Sequence, residues 1–360
     1  MDYPYGSGNS SMARGARIFL ASFLVLFLEV ALIRWIPAYI RLLAYFSNFI
    51  LLASFLGIGV GCLLAQSRWR LFAWFPLLQA IMIAAVYFLR LEVAIPTTGS
   101  IYFSSGTTER VVVVESALLL PLVFAMVAAL FCCLAQRMGK EMVAFKPLLG
   151  YTINLLGSLA GVAFFALISW LQLAPTWWFA IAFAAAIPLL LLVEPDSAPT
   201  RKWRAIVAAN IALLAIALFW VMVLARDTLW SPYYKITVGR QGADTVVEVN
   251  NIFHQSMAPL DHKEYFYQWP YMAFGDTFQN VLVLGAGTGT DVAAALKHGA
   301  AHVDAVEIDP LIVRLGREHH PDAPYSDPRV TVVIDDARHF LRTTSKKYDL
   351  VVFALIDSLT

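Results

Sequence analysis

The segment from Val281 to Asp291 reads Val-Leu-Val-Leu-Gly-Ala-Gly-Thr-Gly-Thr-Asp, and Ala305-Val-Glu-Ile-Asp309 follows shortly after it. An apolar run that breaks into glycines is the pattern of a buried strand turning tightly into a helix. Gly285, Gly287 and Gly289 let the backbone approach a nucleotide-like ligand where a Cβ would collide. Glu307, at the tip of the next strand, is an acid placed to hold ribose hydroxyls. The glycines are spaced G-x-G-x-G, whereas the dinucleotide fingerprint carries its third glycine one residue later. The chemistry this predicts is recognition of a nucleoside by a glycine turn and a strand-end carboxylate.

Such residues need a parallel sheet to position them. Strands are predicted at 281–285, 302–306, 330–334 and 349–354, with helices at 290–298, 310–318 and 336–342 between them. Strands alternating with helices give a parallel sheet with right-handed crossovers, and its ligands bind beyond the C-terminal strand ends. Gly285–Thr290, Glu307, Asp335–Asp336 and Asp357 all fall at such ends. Upstream, Tyr233–Arg240 and Thr245–Asn250 read as a hairpin, and His262–Phe274 as a helix that Pro270 must interrupt or kink. The chain stops at Asp357-Ser-Leu-Thr360, just after the fourth strand, where a domain of this class would continue. The expectation is a fragment whose Rossmann-like half is incomplete.

Composition places the rest of the chain. It is 59% hydrophobic and 14% charged with a formal net charge of +1, the profile of a membrane protein. Charges are sparse up to Ala225 and ordinary afterwards. Seven bilayer-length segments are predicted: Ile18–Ala38, Phe46–Ala65, Leu71–Leu89, Val112–Leu134, Leu149–Leu171, Trp177–Val193 and Ala205–Leu224, the sixth being the shortest. Gly57-x-x-x-Gly61 and Gly157-x-x-x-Gly161 are faces for close helix packing. Glu29 and Arg34 lie in or near the end of the first span, where charge is expensive; Glu29 is expected to bind another helix and Arg34 to snorkel. Glu115 and Asn154 are weaker cases of the same kind.

The regions therefore read as a tail (1–17), a transmembrane domain (18–225), a β region with a helix (229–275) and a cofactor-binding domain (278–360). The first apolar run is too long for a secretory signal. No basic stripe suits nucleic acid, and Cys62, Cys132 and Cys133 lie in apolar runs with neither disulfide nor metal spacing, so no metal is expected. Arg14 and Arg17, Arg68 and Arg70, Arg137, Lys140 and Lys146, and Arg201, Lys202 and Arg204 fill alternate loops. Only Arg41, Arg90 and Arg110 fill the others, which puts the N-terminus in the cytoplasm. Seven spans would then carry the soluble half outside, where an adenosyl cofactor is not expected. One miscounted span resolves the conflict, and the expectation is an integral protein of the plasma or inner membrane with a cytosolic soluble domain. Self-association into a homo-oligomer is compatible with this architecture.

The glycine spacing is the habit of S-adenosylmethionine folds, which have no pyrophosphate to seat. From Leu229 to Asp357 the chain resembles spermidine synthases, the aminopropyltransferases built on a class I methyltransferase fold. Gly285–Gly289, Val306-Glu307-Ile308-Asp309, Asp335-Asp336-Ala337 and Tyr348-Asp349-Leu350-Val351-Val352 carry the resemblance. Ser231-Pro-Tyr-Tyr-Lys-Ile236, Asn250-Asn-Ile-Phe-His-Gln255 and Glu264-Tyr-Phe-Tyr-Gln268 extend it, and the apolar half looks like that of membrane-bound members.

The resemblance implies that Glu307 holds the ribose, Asp336 the adenine amino group, and Gly285, Gly287, Gly289 and Gln268 the rest of S-adenosylmethionine or its decarboxylated form. It implies an amine acceptor, such as a polyamine, held by Gln255 and Tyr234. Asp357 falls on the acid that deprotonates the attacking amine, with Tyr267 orienting it. Four positions depart from the family: Thr288 replaces the acid of the glycine loop, Ala354 the first acid of the gate, Trp269 the acid after the Tyr-Gln pair, and Tyr234 a glutamine. Polyamine recognition is thereby depleted of carboxylates, which keeps methyl transfer from the intact donor open. A membrane transporter or sensor whose Rossmann-like half only binds a nucleoside is the alternative. Simpler roles are open too: Asp309 and Asp335 as helix caps, His319 and His320 as solvated residues, His254 and His262 as neutral surface groups, and Trp230, Tyr233 and Tyr234 as an interfacial belt.

Overall fold

The structure is a computed structural model describing residues 8–40, 43, 46, 48–89, 91–93, 112–114, 116–191, 200–275 and 278–354. It divides into two compact units between Leu229 and Trp230. Asp357, Glu115, Arg41, Arg90 and Arg110 lie outside the described residues.

The first unit is helical: α1 (Gly8–Trp35), α2 (Phe49–Leu63), α3 (Phe75–Leu89), α4 (Ser116–Val143), α5 (Pro147–Trp170), α6 (Pro175–Leu191) and α7 (Arg201–Ala225). Six helical stretches are long and apolar enough to cross a membrane, and the 17 residues of α6 fall short of that length. The fourth predicted span begins later than expected. Val112–Val114 is a strand (β2) paired in parallel with Leu91–Val93 (β1), because consecutive β-branched valines prefer extended backbone to the first turn of a helix.

Small residues bring the helices together. A Cβ on Gly57 would lie 2.3 Å from the Ala128 carbonyl of α4, and one on Gly61 2.5 Å from that of Cys132. On α5, a Cβ at Gly157 or Gly161 would lie 2.5 or 2.6 Å from the Phe19 or Phe23 carbonyl of α1. Both G-x-x-x-G motifs are thus helix-packing faces. Buried Glu29 accepts from Ser54 of α2, Arg34 donates to Ser169 of α5, and Ser22 donates to Asn154 at 2.7 Å. These three polar contacts tie α1 to its neighbours.

The bundle has one basic end. Arg14 donates to the Ala144 carbonyl at 2.6 Å, and Glu141 receives both Arg17 and Arg137 at 3.1 Å. Lys140 donates to the Trp69 carbonyl at 2.7 Å, and the Arg70 guanidinium lies over the Trp203 ring. At the other end Tyr39 donates to the Leu224 carbonyl at 3.3 Å, and Tyr87 and Phe88 pack on Trp220. Helix α6 runs between these ends despite its length. Its Trp178 sits under Arg34, and its Leu189 and Leu190 share a small pocket with Arg70, Arg137 and Trp203. Seven helices therefore traverse the bundle among the described residues, and α7 finishes away from the basic end. The short helix α6 is the sixth predicted span, the one the sequence also gives as the shortest.

The second unit has two sheets. The first has the order β3 (Leu229–Trp230), β4 (Lys235–Gln241), β5 (Asp244–Val249), β6 (Ile252–Met257), with β4–β5 and β5–β6 antiparallel. The hairpin is where the sequence predicts it, and β6 adds a third full strand. The predicted helix over 262–274 is broken: turns of 3-10 helix at Leu260–His262 and Tyr265–Tyr267 precede a short α8 (Trp269–Phe274). Pro270 in the first turn of α8 cannot continue a helix from upstream but is well placed to start one.

The second sheet is parallel, in the order β10 (Leu350–Phe353), β7 (Asn280–Leu284), β8 (His302–Glu307), β9 (Val330–Ile334). Helices α9 (Thr290–Lys297), α10 (Pro310–His319) and α11 (Ala337–Thr343) connect the strands. Val281, Leu282, Val283 and Leu284 are all fully buried, as a central strand covered on both faces requires. Chain order reverses between β7 and β10, so the ligand crevice of such a sheet opens at their C-terminal ends. Tyr348 and Lys346 donate to buried Asp304, and Asp349 accepts the Gln279 and Asn280 amides at 2.9 Å each. The Tyr348-Asp349 motif fastens β10 to the sheet and takes no part in the crevice.

Candidate functional site

The glycine turn is held from behind. Gly285, Gly287 and Gly289 all have positive φ (73°, 57° and 107°), a region side chains other than glycine rarely occupy. The Tyr325 hydroxyl donates to the Gly287 carbonyl at 2.7 Å and lies 3.1 Å from that of Ala286. Gln255 of β6 accepts from the Thr288 amide at 3.0 Å and its hydroxyl at 2.9 Å. A Cβ on Gly316 of α10 would lie 2.4 Å from the Thr288 carbonyl, so α10 meets the turn through backbone contact. Tyr325 and Gly316 are absent from the sequence reading. No local pattern marks them, since their partners are 38 and 28 residues away in the chain.

A cleft of about 380 Å³ opens in front of this turn. The strand ends line it. Glu307 accepts the Gly287 amide at 2.8 Å and the Asp309 amide at 3.0 Å. Burial raises its pKa, and these two amides oppose the rise. Asp309 caps α10 by accepting the Leu311 amide at 2.9 Å. Asp336 caps α11, its Oδ1 accepting the Arg338 and His339 amides at 2.9 and 3.1 Å. Asp335 accepts the Asp336 amide and holds the His339 ring at 2.7 Å. The acid matched to the adenine contact is therefore the cap, and both members of the pair line the cleft.

Tyr234, His254, Gln255, Tyr267 and Asp291 also line the cleft. Asp291, in the first turn of α9, has its pKa raised to about 6 by burial, and Tyr267 is pushed up to about 12 by burial and by the nearby charges of Asp291 and Glu264. Asp291 also escaped the sequence reading, because it stands three residues beyond the position where the family carries its acid.

Of the residues singled out from sequence, Gly285, Gly287, Glu307, Asp336, Gln255, Tyr234 and Tyr267 come together in this cleft. Gly289 does not line it. A Cβ there would lie 2.6 Å from Pro324, so this glycine serves the packing of the loop before β9 and starts α9. Gln268 does not line it either, because the expected helix breaks and leaves this residue between a 3-10 turn and α8. His320 is 4% exposed rather than solvated, with Thr290 and the Asp322 amide as partners, and burial lowers its pKa to about 4. Trp230 is buried, so the three aromatics do not form a common exposed belt. No group of three metal-binding side chains occurs among the described residues.

Comparison with known proteins gives the same C-terminal assignment. Residues 262–360 match the spermine/spermidine synthase domain. A polyamine aminopropyltransferase of Hamiltonella defensa is 37% identical over 112 residues, which is 30% of this chain and 35% of that protein. Polyamine aminopropyltransferase 1 of Streptomyces coelicolor is 29% identical over 182 residues, 44% of this chain and 34% of that protein. The crystal structure of spermidine synthase from Thermotoga maritima aligns with a TM-score of 0.29 at 18% identity, covering 35% of this chain and 44% of that one. This chain spans about a third of the length of the curated relatives it matches.

Proposed function

We propose that this protein is a membrane-anchored, spermidine-synthase-like transferase. It moves an aminopropyl group from decarboxylated S-adenosylmethionine to a small amine, with its soluble half in the cytosol where that donor is made. The observation that carries this reading is the cleft at the β7–β10 crossover, where a positive-φ glycine turn, Glu307 and Asp336 converge. The residues fit an adenosyl group. Gly287 presents its backbone without a side chain, and each Glu307 oxygen accepts one amide and retains acceptor capacity for a ribose hydroxyl. The bound donor would supply an activated alkyl group on a sulfonium. The protein's part is to orient it, exclude water, and take a proton from the acceptor's ammonium so that the free amine would attack the propyl carbon as the C–S bond breaks and methylthioadenosine leaves. Asp357, just past β10, is the proposed proton acceptor by its match to the family gate, with Tyr267 orienting it. A positioned base of this kind contributes roughly 10²–10⁴-fold in rate.

Calorimetric titration of the detergent-purified protein with both donor forms tests the reading. Tighter binding of the decarboxylated form, with aminopropyl transfer to a diamine, is expected. Exclusive use of the intact donor reassigns the reaction to methyl transfer, and binding of neither overturns the function. A second reading, a receptor that binds a nucleoside outside the cytosol, is favoured by one observation: α7 finishes at the end of the bundle away from the basic clusters.

A further inference from the structure

We propose that Asp291 receives a cationic primary amine in the cleft, replacing acids that the motif lacks. The inference rests on the transferase reading and names the part of the cleft where the amine lies. Thr288, which stands where the family has its loop acid, is fully buried and spends its hydroxyl on Gln255. Ala354 lines the cleft with no polar side chain. Asp291 lines it too, near Tyr267, His254 and Gln255 among the lining residues, with Tyr267 within reach of its charge.

Asp291 lies close enough to Tyr267, Tyr271 and Lys263 for its charge to reach each of them, and it shares Tyr325 with Glu307. Glu307, Asp309 and Asp336 are each engaged with backbone amides of a turn or helix start. Asp291 accepts from its own amide, and Lys263, a cation whose charge reaches it, donates to the Ser256 carbonyl and hydroxyl at 2.6 and 2.9 Å. A partly desolvated carboxylate facing a cleft gains most from an incoming ammonium, because water screens the pair poorly there. A ligand with a nucleoside at Glu307 and an amine at Asp291 would engage two acids of the same cleft. That amine belongs either to the propylamine arm of the donor or to the acceptor.

Three probes separate these cases in the full-length protein: methylthioadenosine, which has no amine; decarboxylated S-adenosylmethionine; and putrescine. Asp291→Asn should leave methylthioadenosine affinity unchanged and weaken an amine-bearing probe roughly 10- to 100-fold, with Asp291→Glu restoring part of the loss. Weakening of the donor alone assigns the amine to its propylamine arm; weakening of putrescine alone assigns it to the acceptor. Unchanged binding of both amines in Asp291→Asn overturns the proposal. So does a parallel loss of methylthioadenosine, which would mark a structural role in the glycine turn. A parent protein that binds none of the three removes the transferase reading itself, a result distinct from either failure of Asp291.

Discussion

At the scale of residues, the cleft's acids do two jobs at once. Glu307 shapes the glycine turn by accepting the Gly287 amide, so its substitution removes a ligand contact and loosens the ligand's cradle together. Glu307→Ala should cost about 2–4 kcal/mol of donor affinity and also lower the melting temperature, since two amides lose their acceptor. Glu307→Gln, which keeps one acceptor oxygen, should melt closer to the parent while still binding weakly. Equal affinity in Glu307→Ala and the parent would remove the ribose role. The titrations of Asp291 and His320 have opposite signs. Asp291 sits among Lys263, Tyr267, Tyr271 and Tyr325, and His320 near Asp322 and Lys263. With a folded pKa of about 4 against 6.5, His320 makes the unfolded chain bind more protons between those values, so its contribution rises with pH across that window. With about 6 against 3.8, Asp291 makes the folded chain bind more, so its contribution falls as pH rises. Melting of His320→Asn should therefore lose a positive slope between pH 4 and 6.5, and that of Asp291→Asn a negative slope between pH 3.8 and 6. The same slope in both variants would contradict these environments.

At the scale of elements, α2 contains its own control. Gly57 and Gly61 face α4, and Gly59, two residues from each, has nothing within 4 Å of an added Cβ. Gly57→Ala and Gly61→Ala should push α2 off α4 and lower the melting temperature in detergent. Gly59→Ala should be neutral or raise it, since alanine is the better helix former by up to about 1 kcal/mol. A uniform response at all three positions would show that packing is not the reason for the motif. Gly316→Ala would similarly displace α10 from the Thr288 carbonyl and should weaken donor binding without touching the ligand. The strands and helices of the parallel sheet were legible because each alternates buried apolar runs with caps such as Asp309-Pro310 and Asp336. The breaks at 260–268 were not, because a continuous aromatic and charged stretch has helical texture until Pro270 stops it. Tyr325 and Gly316 were not legible either. Their importance comes from which turn they meet across the fold, and pattern within a short window carries no trace of that.

At the scale of the whole molecule, two physical tendencies oppose each other over sidedness. The seven helices place the start of α1 and the end of α7 at opposite ends of the bundle, and the positive-inside bias would put the basic end in the cytoplasm. Many of those basic residues, however, fasten helix ends: Arg17 and Arg137 to Glu141, Arg14 to Ala144, Lys140 to Trp69, and Arg70 to Trp203. Packing accounts for their clustering on its own and lowers its weight as an orientation signal. The donor's chemistry pulls the other way, because an S-adenosylmethionine-type site without a cytosolic supply has nothing to transfer. Helix α6, at 1.5 Å per residue, is roughly 26 Å long, a little under the hydrocarbon thickness of about 30 Å, so a crossing by α6 would require modest local thinning of the bilayer. Reporter fusions at Thr200 and Thr228 are expected to lie on opposite sides, with Thr228 in the cytosol. Both on one side would mean that α7 does not cross. Thr228 outside would uphold the positive-inside bias and transfer the weight to the nucleoside receptor. A chain ending near Ala225 should stay in the membrane fraction through an alkaline carbonate wash, since six of its helices are long and apolar enough to insert without the sheet that follows. Its release into the supernatant would show that the helical unit is not an anchor at all.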